Sequence, residues 1–184
     1  RIEHNPDNND YVAECVHRYP ERLVQFADVD CSWTETYHIP GAASRLEEAA
    51  RRYSLKGFTH YLKGDTEWFA TDEGLDFFEK TAELKLIASL ALSPRWQPAL
   101  RNLARQFPTV PFLCHHMAGA QSSQDSMDEV LRSSEVENIY IKLSGFHYIS
   151  NVSWDYPQPD THAGVRQLYS HFGRDRLCWG SDYP

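Results

Sequence analysis

Polar residues that could do acid–base or metal chemistry follow the short apolar segments of this chain. In chain order they are Asp28, Asp30, His60, Ser93, His115, His116, Ser144, His147, Ser181 and Asp182. In a parallel α/β protein the active site lies at the carboxyl ends of the strands, so residues that end such segments meet at one edge of the sheet. Histidine transfers protons near neutral pH, and imidazole and carboxylate groups both bind metal ions. The set therefore predicts an acid–base or metal site at one sheet edge.

Most of these residues also have a structural interpretation. Asp28 and Asp30 are typical of residues that cap or turn the loop after a strand, and a lone His60 at a strand end is typical of a hydrogen-bonded histidine. The pair His115-His116 differs, because neighbouring strand residues point to opposite faces. We expect one ring to face the interior, where it needs a partner, and the other to face the helical layer. The functional and structural interpretations of this pair are equally open.

Asp182 stands where an apolar segment, LCW at 177–179, breaks into Gly180 and Ser181. A carboxylate at this point lies at the rim of a site at the sheet edge. The alternative is an aspartate that begins a turn before Pro184. The spacing alone leaves both interpretations open.

Apolar, β-branched segments alternate with amphipathic segments of helical period along the chain. Strands are predicted at 23–30, 56–62, 86–92, 110–117, 139–144 and 176–182. Helices are predicted at 11–18, 42–53, 72–84, 126–133 and 161–172, and a further helix has Pro94 and Pro98 in its first turn and runs to Phe107. This alternation predicts a parallel sheet covered by helices.

Two architectures fit an alternating α/β chain: an open doubly wound sheet and a closed barrel of eight units. A full barrel takes about 250 residues, and six units in 184 residues have the density of three-quarters of one. No Gly-rich phosphate loop of the G-x-G-x-x-G or P-loop type is present, which removes the strongest reason to prefer a nucleotide-binding sheet. The pattern therefore slightly favours a closed barrel over an open doubly wound sheet.

The composition of the chain excludes some classes of binding partner. A formal net charge of −8 argues against nucleic acid, which needs a basic face. No segment approaches the roughly 18 consecutive apolar residues of a membrane span. The four cysteines have no C-x-x-C spacing and are interpreted as reduced thiols in a cytoplasmic compartment. We therefore expect a cytoplasmic protein whose partner is a small molecule.

Four segments resemble one known family, in order along the chain. Residues 172–184, FGRDRLCWGSDYP, and 107–119, FPTVPFLCHHMAG, resemble the strands that carry a catalytic Asp and an active-site His in the amidohydrolase-related (amidohydrolase 2) family. Residues 138–145, NIYIKLSG, resemble the strand typical of its lactonase-like branch, which includes 2-pyrone-4,6-dicarboxylate lactonase and sugar lactonase relatives. Residues 9–11, NDY, with 19–24, YPERLV, are similar to the segment that leads into the third strand.

The resemblance implies a fold as well as a site. It implies a (β/α)8 TIM barrel, of which residues 1–184 hold the third to the eighth strand in a single domain. The first two strands, with the His-x-His motif of the family, and any C-terminal helices would lie outside this sequence. We therefore interpret the chain as part of a longer protein.

The resemblance also implies chemistry: hydrolysis of a lactone or a related ester or amide bond. Asp182 would act as the general base on the attacking water, and His116 would polarise the carbonyl or bind a metal. In metal-using relatives Zn or a similar divalent ion is held by the His-x-His pair, the His and the Asp, so His116 and Asp182 are the implied metal ligands here. Other members of the lactonase branch work without metal, so both mechanisms stay open.

Substrate contacts are assigned to His60, His147 and Ser144. Relatives often have an Arg in the strand that matches 56–62, where it binds a substrate carboxylate. That strand holds GFTH and no Arg, which argues against a dicarboxylate substrate.

Two alternatives stay open beside lactone hydrolysis. The same family contains non-oxidative decarboxylases of aromatic or related carboxylic acids. A barrel without a working site could instead serve as a binding module. A homo-oligomer is compatible with each of the three functions.

Overall fold

In this computed structural model, residues 7–152 and 154–182 are described, and Pro184, the residue of the predicted alternative turn, lies outside them. The strands are β1 (Phe26–Asp28), β2 (Gly57–Tyr61), β3 (Ile87–Ala91), β4 (Phe112–Cys114), β5 (Ile139–Leu143) and β6 (Leu177–Trp179). The helices are α1 (Asn8–Arg18), α2 (Ala42–Tyr53), α3 (Asp72–Glu83), α4 (Gln97–Gln106), α5 (Gln124–Arg132), α6 (Phe146–Ile149) and α7 (His162–Phe172). The predicted alternation of strands and helices is confirmed, and the short helix α6 lies where a loop was expected.

The strands form one parallel sheet in the order in which they occur along the chain, β1-β2-β3-β4-β5-β6. A doubly wound sheet reverses its strand order at a switch point. No such reversal occurs among the described strands, because each strand pairs with the next one in sequence. The order is therefore that of a β/α barrel.

One face of the sheet packs against the helices. The register aligns Ala27, Phe58, Ala88, Phe112 and Ile139 in one row across β1 to β5, and each of them is fully buried. Aromatic and leucine side chains from the helices complete this core, among them Phe77, Phe78 and Leu100. Burial of such side chains contributes about 1.5–3 kcal/mol each, so this outer face holds the sheet and helices together.

The opposite, inner face carries the residues between these positions. Its row across β1 to β5 is Asp28, Thr59, Ser89, Leu113 and Tyr140. Because side chains alternate along a strand, Lys142 lies on the same inner face as Tyr140, two residues closer to the carboxyl end of β5. Most of the polar side chains of the strands therefore lie on the inner face, with His60 of the outer face as an exception.

Several strands end earlier than the sequence predicts, and the reason lies in the backbone. The predicted strand 23–30 is confined to β1, and Asp30 has a positive φ of 49°. The predicted strand 110–117 ends at Cys114 because His116 begins a left-handed turn. These early ends free the polar residues from the sheet ladder, so that their side chains can turn toward the carboxyl edge.

No helix among the described residues has both the length and the apolar composition that crossing a membrane requires.

Candidate active site

His116 and Asp182 lie together at the carboxyl edge of the sheet. His116 follows β4 and Asp182 follows β6, and Nε2 of the histidine is 3.8 Å from Oδ1 of the aspartate. The two side chains are 20% and 28% exposed, respectively, so a small molecule can reach both. The distance exceeds that of a direct hydrogen bond and leaves the two groups facing a shared space. The structure thus brings together the two residues that the sequence predicts as catalytic.

Ser144 lies behind His116. Its hydroxyl oxygen is 3.0 Å from Nδ1 of the histidine, and the residue is fully buried. Ser144 follows β5, the strand between those that carry His116 and Asp182. It was predicted as a substrate contact, which stays a prediction; in the structure its hydroxyl lies against the histidine.

A left-handed backbone turn carries His116. Four consecutive residues have positive φ: His116 at 50°, Met117 at 54°, Ala118 at 55° and Gly119 at 68°. The left-handed conformation costs roughly 1–2 kcal/mol for each residue that has a Cβ. Met117 and Ala118 are fully buried, so packing around the turn holds it in place. A Cβ on Gly119 would come 3.1 Å from Cδ of Pro94, a tighter contact than most Cβ atoms make, so glycine suits this position in both its φ and its space.

This turn overturns half of the prediction for the histidine pair. We expected one ring of His115-His116 inside with a partner, and His115 meets this expectation. The other ring was expected in the helical layer, and this is wrong: His116 lies beside Asp182, and the two ring centroids are 5.4 Å apart. His115 hydrogen-bonds through Nε2 to Ser89 on the inner face and packs edge-on against Tyr61. His116 turns to the same edge, because the strand alternation no longer applies in a left-handed turn.

Lys142 is a further charged residue of this region that sequence reasoning missed. It is half-buried, and burial lowers the pKa of its ammonium group, while the charge of Asp182 acts in the opposite direction. Its stem passes Gly180, where a Cβ would come 3.1 Å from Cδ of the lysine. The available signal was its spacing of two residues from Ser144, which puts both on one face of β5.

His60 is not brought to this edge. It is fully buried on the outer face, in register with Leu90, and Nδ1 lies 3.0 Å from the carbonyl oxygen of Val29. Its Nε2 lies 3.2 Å from Nε2 of His38, which stacks on the ring of Trp68 with centroids 3.8 Å apart. Burial lowers the pKa of His60. This histidine therefore belongs to a buried aromatic cluster between the sheet and the loop after β1.

His147 lies in the short helix α6, and its side chain is exposed. Helix α6 begins directly after Gly145, which has a φ of 71°. The predicted role of His147 in substrate binding is compatible with that exposure and stays a prediction.

A cavity of about 300 Å³ opens beside the two histidines. Most of its wall is apolar, and its lining consists of Leu62, Ala91, Leu92, Ser93, His115, His116, Gly119 and Ile149. A concave apolar wall with a few polar groups at one side is typical of small-molecule sites. The cavity therefore gives a ligand access to His116.

The donor atoms at this edge can be tested against a divalent metal ion. Two donors that each lie about 2.0–2.2 Å from one ion are at most about 4.4 Å apart, and the 3.8 Å between His116 and Asp182 meets this limit. Imidazole nitrogen and carboxylate oxygen are both usual zinc ligands. No group of three or more His, Cys, Asp or Glu side chains suited to a metal occurs within the described residues. The pair therefore fits a divalent ion as two of its ligands.

The fold and this edge define a parallel β/α-barrel protein with a histidine–aspartate site at the carboxyl ends of its strands. The family model described as Amidohydrolase matches residues 2–184. The chain therefore belongs to the amidohydrolase family, and the family predicted from the four sequence segments is confirmed.

A curated relative of known activity is also similar to this chain. An L-fucono-1,5-lactonase from Burkholderia ambifaria is 29% identical over 156 residues, which cover 78% of this chain and 51% of the relative. The chain thus spans about half the length of this curated relative.

Two solved structures share the fold. An amidohydrolase from Burkholderia multivorans with bound Zn superposes with a TM-score of 0.71 at 17% identity, over 98% of this chain and 65% of that chain. A dihydroxybenzoic acid decarboxylase from Polaromonas sp. JS666, with bound manganese and the inhibitor 2-nitroresorcinol, has a TM-score of 0.68 at 16% identity, over 97% and 64% of the two chains. The predicted partial barrel is thereby confirmed, and these two structures each contain a divalent metal.

Proposed function

We propose that the protein hydrolyses a lactone, opening its ester C–O bond. The observation that carries the proposal is the placement of His116 and Asp182, 3.8 Å apart across the carboxyl edge of the sheet. The family and the lactonase relative support a hydrolytic reaction. Acyl transfer to water needs a base for the nucleophile and an electrophile for the carbonyl. Asp182 offers the base, and His116 offers a nitrogen ligand for a metal ion that would serve as the electrophile.

In this mechanism Asp182 accepts a proton from the attacking water at its carboxylate. The same carboxyl group then returns the proton to the leaving alkoxide oxygen, which completes ring opening. Nε2 of His116 faces the same space, where its lone pair would help to hold the divalent ion that polarises the carbonyl. The mostly apolar wall of the cavity beside the ring offers the apolar part of a substrate a surface to pack against.

His116 and Asp182 are also the residues that would hold a divalent metal ion, with zinc as the proposed species. When bound, such an ion supplies Lewis acidity and lowers the pKa of water toward neutrality. The two relatives with Zn and Mn support this part of the proposal.

The remaining expectations concern the whole protein. We infer that residues 1–184 belong to a single barrel domain and that the partner is a small-molecule substrate. The cytoplasmic location and a homo-oligomer stay predictions.

A substrate panel tests the proposed reaction. The full-length protein is offered aldono-1,5-lactones and, separately, dihydroxybenzoates, with acid release followed by a pH indicator and CO2 release measured directly. We expect acid release from the lactones above the spontaneous rate and no CO2 from the aromatic acids. CO2 release without lactone opening would assign the decarboxylase alternative. Binding of a ligand without turnover of either class would assign a binding module.

A further inference from the structure

The hydroxyl group of Ser144 has one contact that bears on the site. Its oxygen lies 3.0 Å from Nδ1 of His116, and the serine has no exposed surface. A Cβ on Gly180 would come 3.4 Å from Cβ of the serine, so the strand that leads to Asp182 closes over it. Ser144 is therefore enclosed between the histidine and the chain segment that carries the aspartate.

The orientation of the His116 ring needs such a contact. A residue in a strand has neighbours on both adjacent strands that limit its side chain, whereas His116 stands at the start of a left-handed turn with φ of 50°. Its Nε2 points to Asp182 and its Nδ1 to the serine. Among the contacts of the described residues, the hydrogen bond to Ser144 is thus one that fixes which nitrogen faces the aspartate.

A neutral imidazole has one N–H group and one nitrogen with a free lone pair. When Nδ1 carries the hydrogen and donates it to an oxygen, Nε2 keeps the lone pair, and this arrangement orients metal-binding histidines in general. The opposite tautomer would place an N–H group at Nε2, where it can neither bind a metal nor accept a proton.

We propose that Ser144 is a positioning residue whose hydroxyl oxygen accepts a hydrogen bond from Nδ1–H of His116. It thereby holds the histidine in the tautomer that presents the Nε2 lone pair to the space shared with Asp182. This inference rests on the proposed function, because it assigns Ser144 a role through His116.

The neighbouring pair Ser89 and His115 provides a contrast within the same chain. Ser89 is also buried, but its hydroxyl contacts Nε2 of His115 rather than Nδ1. The two adjacent histidines are therefore held through different ring nitrogens. Of the two, His116 is the one whose Nε2 remains directed at Asp182.

Nitrogen-15 spectra of the histidine rings in the full-length protein test the proposal. We expect His116 to be the Nδ1–H tautomer in the wild type and to lose that signature in Ser144→Ala. The affinity for added Zn²⁺, measured by calorimetry, should fall about 10- to 100-fold in the same variant. Ser144→Thr, which keeps the hydroxyl, should restore the tautomer. Ser89→Ala is the matched control and should leave the His116 signal and the Zn²⁺ affinity within about twofold of the wild type.

An Nε2–H tautomer in the wild type would overturn the proposal, and so would an unchanged tautomer and Zn²⁺ affinity in Ser144→Ala. If Ser144→Ala does not fold, the wild-type spectrum and Ser144→Thr decide the question. These readouts do not depend on turnover. If no lactone is hydrolysed but His116 has the expected tautomer, lactone hydrolysis alone is refuted. If lactones are hydrolysed but His116 has the Nε2–H tautomer, the role of Ser144 alone is refuted.

Discussion

Asp30 shows at the scale of single residues how a carboxylate after a strand serves the fold. Its side chain is fully buried, and Oδ1 accepts hydrogen bonds from the guanidinium of Arg45 at 2.6 and 3.1 Å. Its Oδ2 accepts a hydrogen bond from the backbone N–H of His38 at 3.0 Å. As predicted from the sequence, Asp30 turns the loop after its strand, and Arg45 ties that loop to helix α2.

The substitution Arg45→Met should destabilise the protein by about 3–5 kcal/mol, because it leaves the buried Asp30 carboxylate without its charge partner. Urea unfolding monitored by circular dichroism measures this loss. Arg52→Met is the matched control, since Arg52 pairs with Asp10 at 2.7 Å on the surface and an exposed pair contributes less than about 1 kcal/mol. Equal losses in the two variants would contradict this account of Asp30.

Residue types and strand ends placed His116 and Asp182 among the candidates, because both follow apolar segments that form strands, and the family resemblance then singled out these two as catalytic. The burial of His60 could also be predicted from the sequence. The residue lies two positions after Phe58, so a strand places both side chains on the same face, and in the structure that face is buried. The contact between Ser144 and His116 could not be predicted, because the two residues are 28 positions apart and the left-handed turn that orients His116 has no clear sequence signal.

At the scale of elements, propensity and periodicity located the helices closely. Helix α2 has the predicted bounds 42–53, because its apolar positions recur with helical period and Gly41 with Pro40 precedes it. The left-handed turn after β4 escaped prediction, because Met117 and Ala118 have no intrinsic preference for positive φ and only Gly119 hints at it. Tertiary packing decides the conformation of that segment.

The loop after β1 and strand β2 are joined through two histidines, and this contact should depend on pH. Burial, with a further contribution from His60, lowers the pKa of His38 to about 3, below its ordinary value of about 6.5. As the pH falls from about 6.5 toward 3, His38 therefore becomes protonated in the unfolded chain but stays neutral in the folded protein. Stability should be fully present above pH 6.5 and decrease through this window.

Urea unfolding of the wild type and of His38→Gln between pH 7 and 4 tests this dependence. The variant should lose stability less steeply, by up to about 1.4 kcal/mol per pH unit for one proton. His17→Gln, at a histidine of helix α1 outside this cluster, should keep the wild-type slope. Parallel curves for the wild type and His38→Gln would show that the buried contact does not carry the effect.

At the scale of the whole molecule, the sequential order of the strands leaves β1 and β6 each paired on one side within the described residues. Trp179 on β6 is 77% exposed. Unpaired strand edges are sites of self-association. The number of repeated units in the sequence predicted a partial barrel, whereas the pairing of each strand with the next one in sequence became known only from the structure.

A protein limited to residues 1–184 should therefore self-associate through these edges. Light scattering after gel filtration should give a mass above that of a single chain, increasing with concentration. A longer form that includes the flanking sequence, at the length of the lactonase relative, should give a discrete mass that does not depend on concentration. A monomeric, stably folded 184-residue chain would contradict the proposal that it is part of one larger barrel domain.

The role of Asp182 as general base is the central claim, and steady-state hydrolysis of a lactone by the full-length Asp182→Asn variant tests it most directly. An amide cannot accept the proton of water, so kcat should fall by about 10²- to 10⁴-fold while circular dichroism shows an unchanged fold. Asp175→Asn is the matched control, because Asp175 lies seven positions earlier with a side chain 89% exposed, and its kcat should match the wild type. Wild-type kcat in Asp182→Asn would contradict the mechanism.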